Sequence, residues 1–169
     1  ARTYGAVLAN NVAEPLVSLG RWDEAGEVIE RSLRLFPPRL NRACIWRLAG
    51  DIALARGDLA AASGFAASIR SVTEGSRYDP QYHLPLVRLE TALRLAQGRI
   101  DAANTMIRRL AEEVQETGPR SRILAAYVEI VLAAKDVQAA RAAADELAEI
   151  AARRDIPFLH ALSSQSCGT

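Results

Sequence analysis

Aromatic residues make up only 5% of this 169-residue chain: two tryptophans, four tyrosines and three phenylalanines. A sheet wants aromatic and β-branched side chains on its pleated faces, so this scarcity argues for helices that approach one another on alanine. Lysine is almost missing, Lys135 being the one instance. A phosphate loop needs a lysine behind a glycine-rich turn, and Lys135 stands in Ala-Ala-Lys-Asp, so nucleotide is not held by that device. Cys44 and Cys167 lie far apart without metal-ligand spacing and read as reduced thiols, with no fixed cation placed to make Cys44 reactive. His83 and His160 have no acidic or cysteine neighbour at ligand spacing, and His83 beside Tyr82 reads as a surface residue at a helix start. No metal and no cofactor are expected. The net charge of +1 gives no long-range pull towards nucleic acid or membrane, and no basic stripe with interleaved aromatics is present. No run reaches the roughly 18–20 apolar residues of a membrane span, and no charged-then-apolar leader opens the chain, so a cytoplasmic location is expected. The first residue is an alanine, and the chain is expected to be a piece of a longer polypeptide.

What is present is a recurring corner. It reads GRWDEA at 20–25, GDLAAA at 57–62, GRIDAA at 98–103 and KDVQAA at 135–140. The closing alanines, Ala25, Ala62, Ala103 and Ala140, are 37, 41 and 37 residues apart, a period that means stacked helical pairs. Around the first corner, Gly20 suits the left-handed end of one helix, and Asp23 and Glu24 put negative charge at the start of the next. That second helix carries Ala25, Val28, Ile29, Ser32 and Leu33 on one side and the pairs Glu27–Arg31 and Glu30–Arg34 on the other. Pro37 and Pro38 end it.

The spacing predicts an all-α domain over 1–156, with pairs at about 3–38, 41–75, 80–118 and 120–155. Pro15 predicts a kink or a late start in the first helix. The second pair buries Ile45, Trp46, Leu48 and Ile52 before its corner, and the run TEGSRYDP at 73–80 reads as a turn. Pro85 is placed in the first turn of the third pair, and Gly118-Pro119 is expected to end that pair. Residues 157–169 read as a truncated helix start and tail, the beginning of a fifth pair that never forms. An uncapped apolar face at that end predicts possible self-association.

These residues resemble the tetratricopeptide repeat. Trp46 and Gly50 match its first-helix aromatic and small positions, the four corner alanines match its corner alanine, and Pro37 matches its terminating proline. The third repeat departs at Thr91, and the intervals exceed the family's usual length of about 34 residues. The resemblance implies a right-handed superhelix of antiparallel helical hairpins, a TPR-like α-solenoid of about four repeats plus the start of a fifth. More narrowly, LGRWDEA, GDIALARGDLAAA and YHLPLVRLETALRLAQGRIDAA resemble the repeat region of large actinobacterial LuxR-type transcriptional regulators. In that family an ATPase precedes the repeats and a DNA-binding helix-turn-helix follows them.

That resemblance implies a non-catalytic scaffold for protein interaction or inducer sensing, the alternative being a free-standing adaptor. Its default site is the concave face of the first helices. Laying the groove positions over the sequence gives Asn10 and Glu14, Arg47 and Asp51, Arg88 and Ala92, then Arg122 and Glu129. Their mixed charge suits a protein, peptide or polar small molecule, or else simply solvates the inner surface. Asp51, Glu90 and Glu129 fall on different repeats and read as solvated carboxylates rather than an acid-base pair. Arg108-Arg109 and Arg153-Arg154 read as cations serving helix ends, and Trp22 and Trp46 as packing residues.

Overall fold

Alanine carries the corners of this chain. In the computed structural model, which describes residues 2–73 and 80–168, Ala25, Ala62 and Ala103 are 0% exposed and Ala140 is 4% exposed. Each donates its N–H to the carbonyl of the residue that opens its helix, Arg21, Asp58, Arg99 and Asp136 respectively. The described residues form α-helices α1 (Arg2–Ser18), α2 (Trp22–Arg34), α3 (Arg39–Ala55), α4 (Leu59–Thr73), α5 (Pro80–Ala96), α6 (Ile100–Glu113), α7 (Thr117–Ala133), α8 (Val137–Arg154) and α9 (Pro157–Gly168). Among them there is no strand, so the all-α expectation is borne out.

Three corners share one hydrogen-bond pattern. The N–H groups of Gly20, Gly57 and Lys135 reach back three residues, and those of Arg21, Asp58 and Asp136 reach back five, to Leu16, Ala53 and Val131 at 2.8–2.9 Å. This is the Schellman ending, which needs a left-handed residue. Gly20 and Gly57 take it at φ +74° and +76°, and Lys135 takes it at +63°. The next residue starts the following helix: Asp58 accepts from Ala61 N at 2.9 Å and Asp136 from Ala139 N at 3.0 Å.

The chain divides into two compact units, 1–96 and 97–169. In the first, α1 packs on α2 and α3, α3 on α4, and α5 on both α3 and α4. Ala6, Ala13, Ala25 and Ile29 meet Ile45, Leu48 and Ile52 in one cluster, while Ala43, Ala66 and Ile69 meet Leu86 and Leu89 in another. Gly50 lets α3 and α5 approach, since a Cβ there would lie 2.6 Å from Leu89 Cδ2. In the second unit α7 packs on α6 and α8, and α9 lies against α7 and α8.

Several boundaries differ from the sequence expectation. α1 runs through Pro15 without a late start; the carbonyl four residues earlier, which loses its partner, belongs to exposed Asn11, on the solvent side of the helix where such a loss costs least. α5 begins at Pro80, where a missing N–H costs nothing, so Pro85 stands in its second turn. α6 ends at Glu113, with Val114 beyond it extended at φ −106°, and Gly118-Pro119 lie in the first turn of α7. The turn expected within 74–79 lies outside the described residues. Residues 157–168 are a helix and not an aborted one: Leu159 is buried on α7 and α8 with Leu162 against it. Exposed apolar side chains stand on α1, at Tyr4, Leu8 and Val12, and around the start of α9, at Ile156 and Phe158.

Lys135 holds a conformation that costs a residue with a Cβ about 1–2 kcal/mol. Lys135→Gly should therefore raise the midpoint of urea unfolding, by about 0.5–1 kcal/mol once the more flexible unfolded chain is counted. Gly57→Ala should lower it by about 1 kcal/mol.

Candidate functional site

The first helices of the 1–96 unit bring four of the eight groove positions together. Arg47 is buried on α3, its side chain 9% exposed. It donates through Nη2 to Glu14 Oε1 of α1 at 3.3 Å and through Nη1 to Asp51 Oδ2 of its own helix at 2.9 Å. Arg88 of α5 donates to the same Asp51 oxygen at 2.9 Å. The result is an alternating chain, Glu14–Arg47–Asp51–Arg88, across three helices. Arg47 reaches back 33 residues and Arg88 reaches back 37, so each arginine grips a carboxylate of the preceding pair. A buried guanidinium needs such partners, because an unpaired charge there costs several kcal/mol.

Asn10 lies one turn before Glu14 on α1, half-buried, and its Oδ1 has no hydrogen-bond partner among the described residues. Ala92 stands where the next carboxylate of the ladder would be, which ends the series at Arg88. Glu90 has a separate role: it is the half-buried acceptor of Arg70 of α4 and pairs with Arg94 at 3.9 Å. Asp51 and Glu90 are thus ion-paired and not merely solvated, since each faces an arginine of a neighbouring helix that a linear reading cannot place beside it. Trp46 is half-buried against the second cluster with the Arg42 guanidinium 5.5 Å from its ring centroid, and Trp22 packs against the first cluster. The His83 side chain lies outside the described ones.

Arg122 and Glu129 belong to α7 in the other unit and are not part of this chain of charges. Glu129 is exposed. Arg122 stacks over the Phe158 ring of α9 at 5.6 Å and lines an open cleft of about 290 Å³ with Gly118 of α7, Arg154 ending α8, and Ile156, Phe158 and Leu159 leading into α9. Sequence reasoning missed this cleft because residues 157–168 read as a tail. The apolar run Ile156 to Leu159 behind Pro157 was the available sign.

The same unit holds two polar staples. Arg120 donates to the carbonyls of Ala111 and Val114, both at 2.8 Å, closing the open end of α6, and forks onto Glu146 of α8. That hydrogen bond holds the Glu146 carboxyl below the usual glutamate range, against the opposing effect of desolvation. Arg108 bridges Tyr127 at 3.1 Å and Asp136 at 2.5 Å, so it is a cross-helix link as well as a helix-end cation. Asp136 is held below its ordinary value first by the Ala139 amide and then by Arg108. Asp155 pairs with His160 at 3.2 Å, an acidic neighbour that sequence spacing did not give. Neither Cys44 nor Cys167 is in a disulfide. Among the described residues no group of three or more metal-ligating side chains converges, and no helix is long and apolar enough to cross a membrane.

No protein-family model matches the chain, and no curated protein or solved structure is significantly similar to it.

Arg47→Met should cost about 3 kcal/mol, since it leaves Glu14 without this cation and Asp51 with Arg88 alone. Arg88→Met, at a more exposed end of the chain, should cost about 1 kcal/mol or less. Urea unfolding of both variants checks the order. For Glu146 the folded pKa lies below the unfolded one, so its stabilisation is present above the unfolded value and is lost as pH falls through the folded one. The stability gap between the parent chain and Glu146→Gln should accordingly be open at neutral pH and close on acidification, as followed by urea midpoints across pH 7 to 3.

Proposed function

We propose that this chain is a non-catalytic helical-repeat scaffold that binds a protein, peptide or small-molecule inducer. In this reading it is a TPR-like α-solenoid and the sensor portion of a LuxR-type multidomain transcriptional regulator. The observation that carries the reading is the corner used four times, with its alanine excluded from solvent each time. Nothing in a single helical bundle requires one corner at intervals of 37, 41 and 37 residues, whereas stacked pairs require it. The ladder supports the same view. Arg47 and Arg88 repeat one contact, arginine to the preceding carboxylate, at matched positions of successive first helices. The ionisable groups brought together in this way neutralise one another and position helices, a structural use of charge.

The coding sequence on either side decides the larger claim. A phosphate-binding loop upstream and a helix-turn-helix downstream are the expected result and make this the sensor segment of a regulator. Stop codons close to both ends would overturn that assignment and leave a free-standing adaptor.

A further inference from the structure

We infer that the outer face of α1 is a self-association surface, on which a second copy of this chain lays its own α1 antiparallel about a two-fold axis beside Asn11 and Val12. The inference goes beyond the scaffold reading and concerns the 1–96 unit alone. From Tyr4 to Leu19 the one charged residue is Glu14, and it pairs with Arg47 of α3. Tyr4, Leu8, Val12 and Leu19 recur at intervals of four, four and seven residues, the spacing of a single helix face. The Leu19 N–H carries that face past the end of α1 by donating to the Pro15 carbonyl at 2.9 Å. Among the described helices α2 and α3 touch α1, and they meet it on its other side, around Ala6 and Ala13. A helix that is apolar all round is ordinarily covered all round. Such exposure is not general here: among the described side chains, no large apolar one between residues 37 and 136 is exposed.

Register says what kind of face this is. Leu8 is matched by Ile45 and then Leu86, 37 and 41 residues further on, the intervals of the corners. Both are buried with the pair before them, Ile45 with Ala6 and Ile29, and Leu86 with Ala43 and Ile69. The position belongs to helix–helix contact. The face also complements itself. It carries no charge, so two copies meet without repulsion. The midpoint from Tyr4 to Leu19 falls between Asn11 and Val12. Antiparallel overlap about that point sets Tyr4 of each copy beside Leu19 of the other and covers the whole length, whereas a parallel pair stacks Tyr4 on Tyr4. Asn11 then meets its own copy at the axis. Its backbone carbonyl has lost a helical donor to Pro15, and the side-chain amide of Asn11 in the second copy is a donor at that level. An ordinary apolar helix face offers none. Tyr4, Leu8, Val12 and Leu19 are between 51% and 79% exposed, about 500 Å² of side chain on one copy and about 1,000 Å² on two, which reaches what a specific contact buries.

Sedimentation equilibrium of the whole chain should show a reversible monomer–dimer equilibrium with a Kd on the order of tens of micromolar, as suits a contact of this modest size. Leu8→Glu and Asn11→Asp, both at exposed positions, should keep the circular dichroism of the parent and raise the Kd about 100-fold and about tenfold. Phe158→Ser, in the other unit, should leave the Kd unchanged. Orientation is read from Tyr4→Lys and Leu19→Glu. Each alone should raise the Kd about tenfold, and both in one chain should recover most of the loss, because the lysine of one copy then stands beside the glutamate of the other. Along a single α1 the two positions are about 22 Å apart, too far to pair. A monomer at about 500 µM would overturn the inference and leave the face to a different protein. A Leu8→Glu chain that dimerises like the parent, a double variant no tighter than its singles, or loss of the dimer in Phe158→Ser would overturn it too.

Discussion

Close approach of backbone to backbone at the alanine corners is the constraint on which the other contacts of this molecule depend. An alanine excluded from solvent has no side chain to retract, so the element opposite must lie within van der Waals reach of the helix surface. The same economy appears at Gly50, where Leu89 occupies the space of a missing Cβ. With separations fixed this way, modest residues such as Ile29, Ile45 and Leu48 suffice to fill what remains. That is why a chain so poor in aromatics is able to bury a core.

The polar contacts follow from that spacing. A guanidinium spans neighbouring helices only if they are close, and the arginines of this chain do so repeatedly: Arg47 and Arg88 between first helices, Arg70 from α4 to Glu90, and Arg108 and Arg120 around α7. Arginine suits this work because its fork addresses two acceptors at once and it stays charged when half-buried. Arg120 illustrates the point by closing the carbonyl end of α6 and holding a carboxylate of α8 in one group.

The corners were legible in the sequence because they are local. Gly20, Gly57 and the alanine five residues later encode a helix end and a helix start within one short run, and periodicity did the rest. Helix limits near proline were less legible. Proline removes one donor wherever it stands, and whether the helix stops depends on the surroundings of the freed carbonyl, which for Pro15 belongs to exposed Asn11. Of the groove candidates, Glu14, Arg47, Asp51 and Arg88 came together because they occupy matched positions one pair apart. Arg122 was drawn elsewhere by Phe158, a tertiary contact that no spacing announces. The last helix was missed because Ser163, Ser164, Ser166 and Gly168 are weak helix formers; burial of Leu159 and Ser166 against the helices beneath it outweighs their propensity.

The ladder of charges also bears on how such a chain can change. The alanine corners are alike and carry little information about which helix packs on which. Glu14, Arg47, Asp51 and Arg88 carry it, because each arginine answers an acid on the hairpin before it. Exchange, loss or duplication of one hairpin would keep every apolar contact type yet set arginine against alanine or carboxylate against carboxylate. Order along the first three first helices is thus written in polar side chains, each of the two arginines fitting the carboxylate of the helix that precedes it.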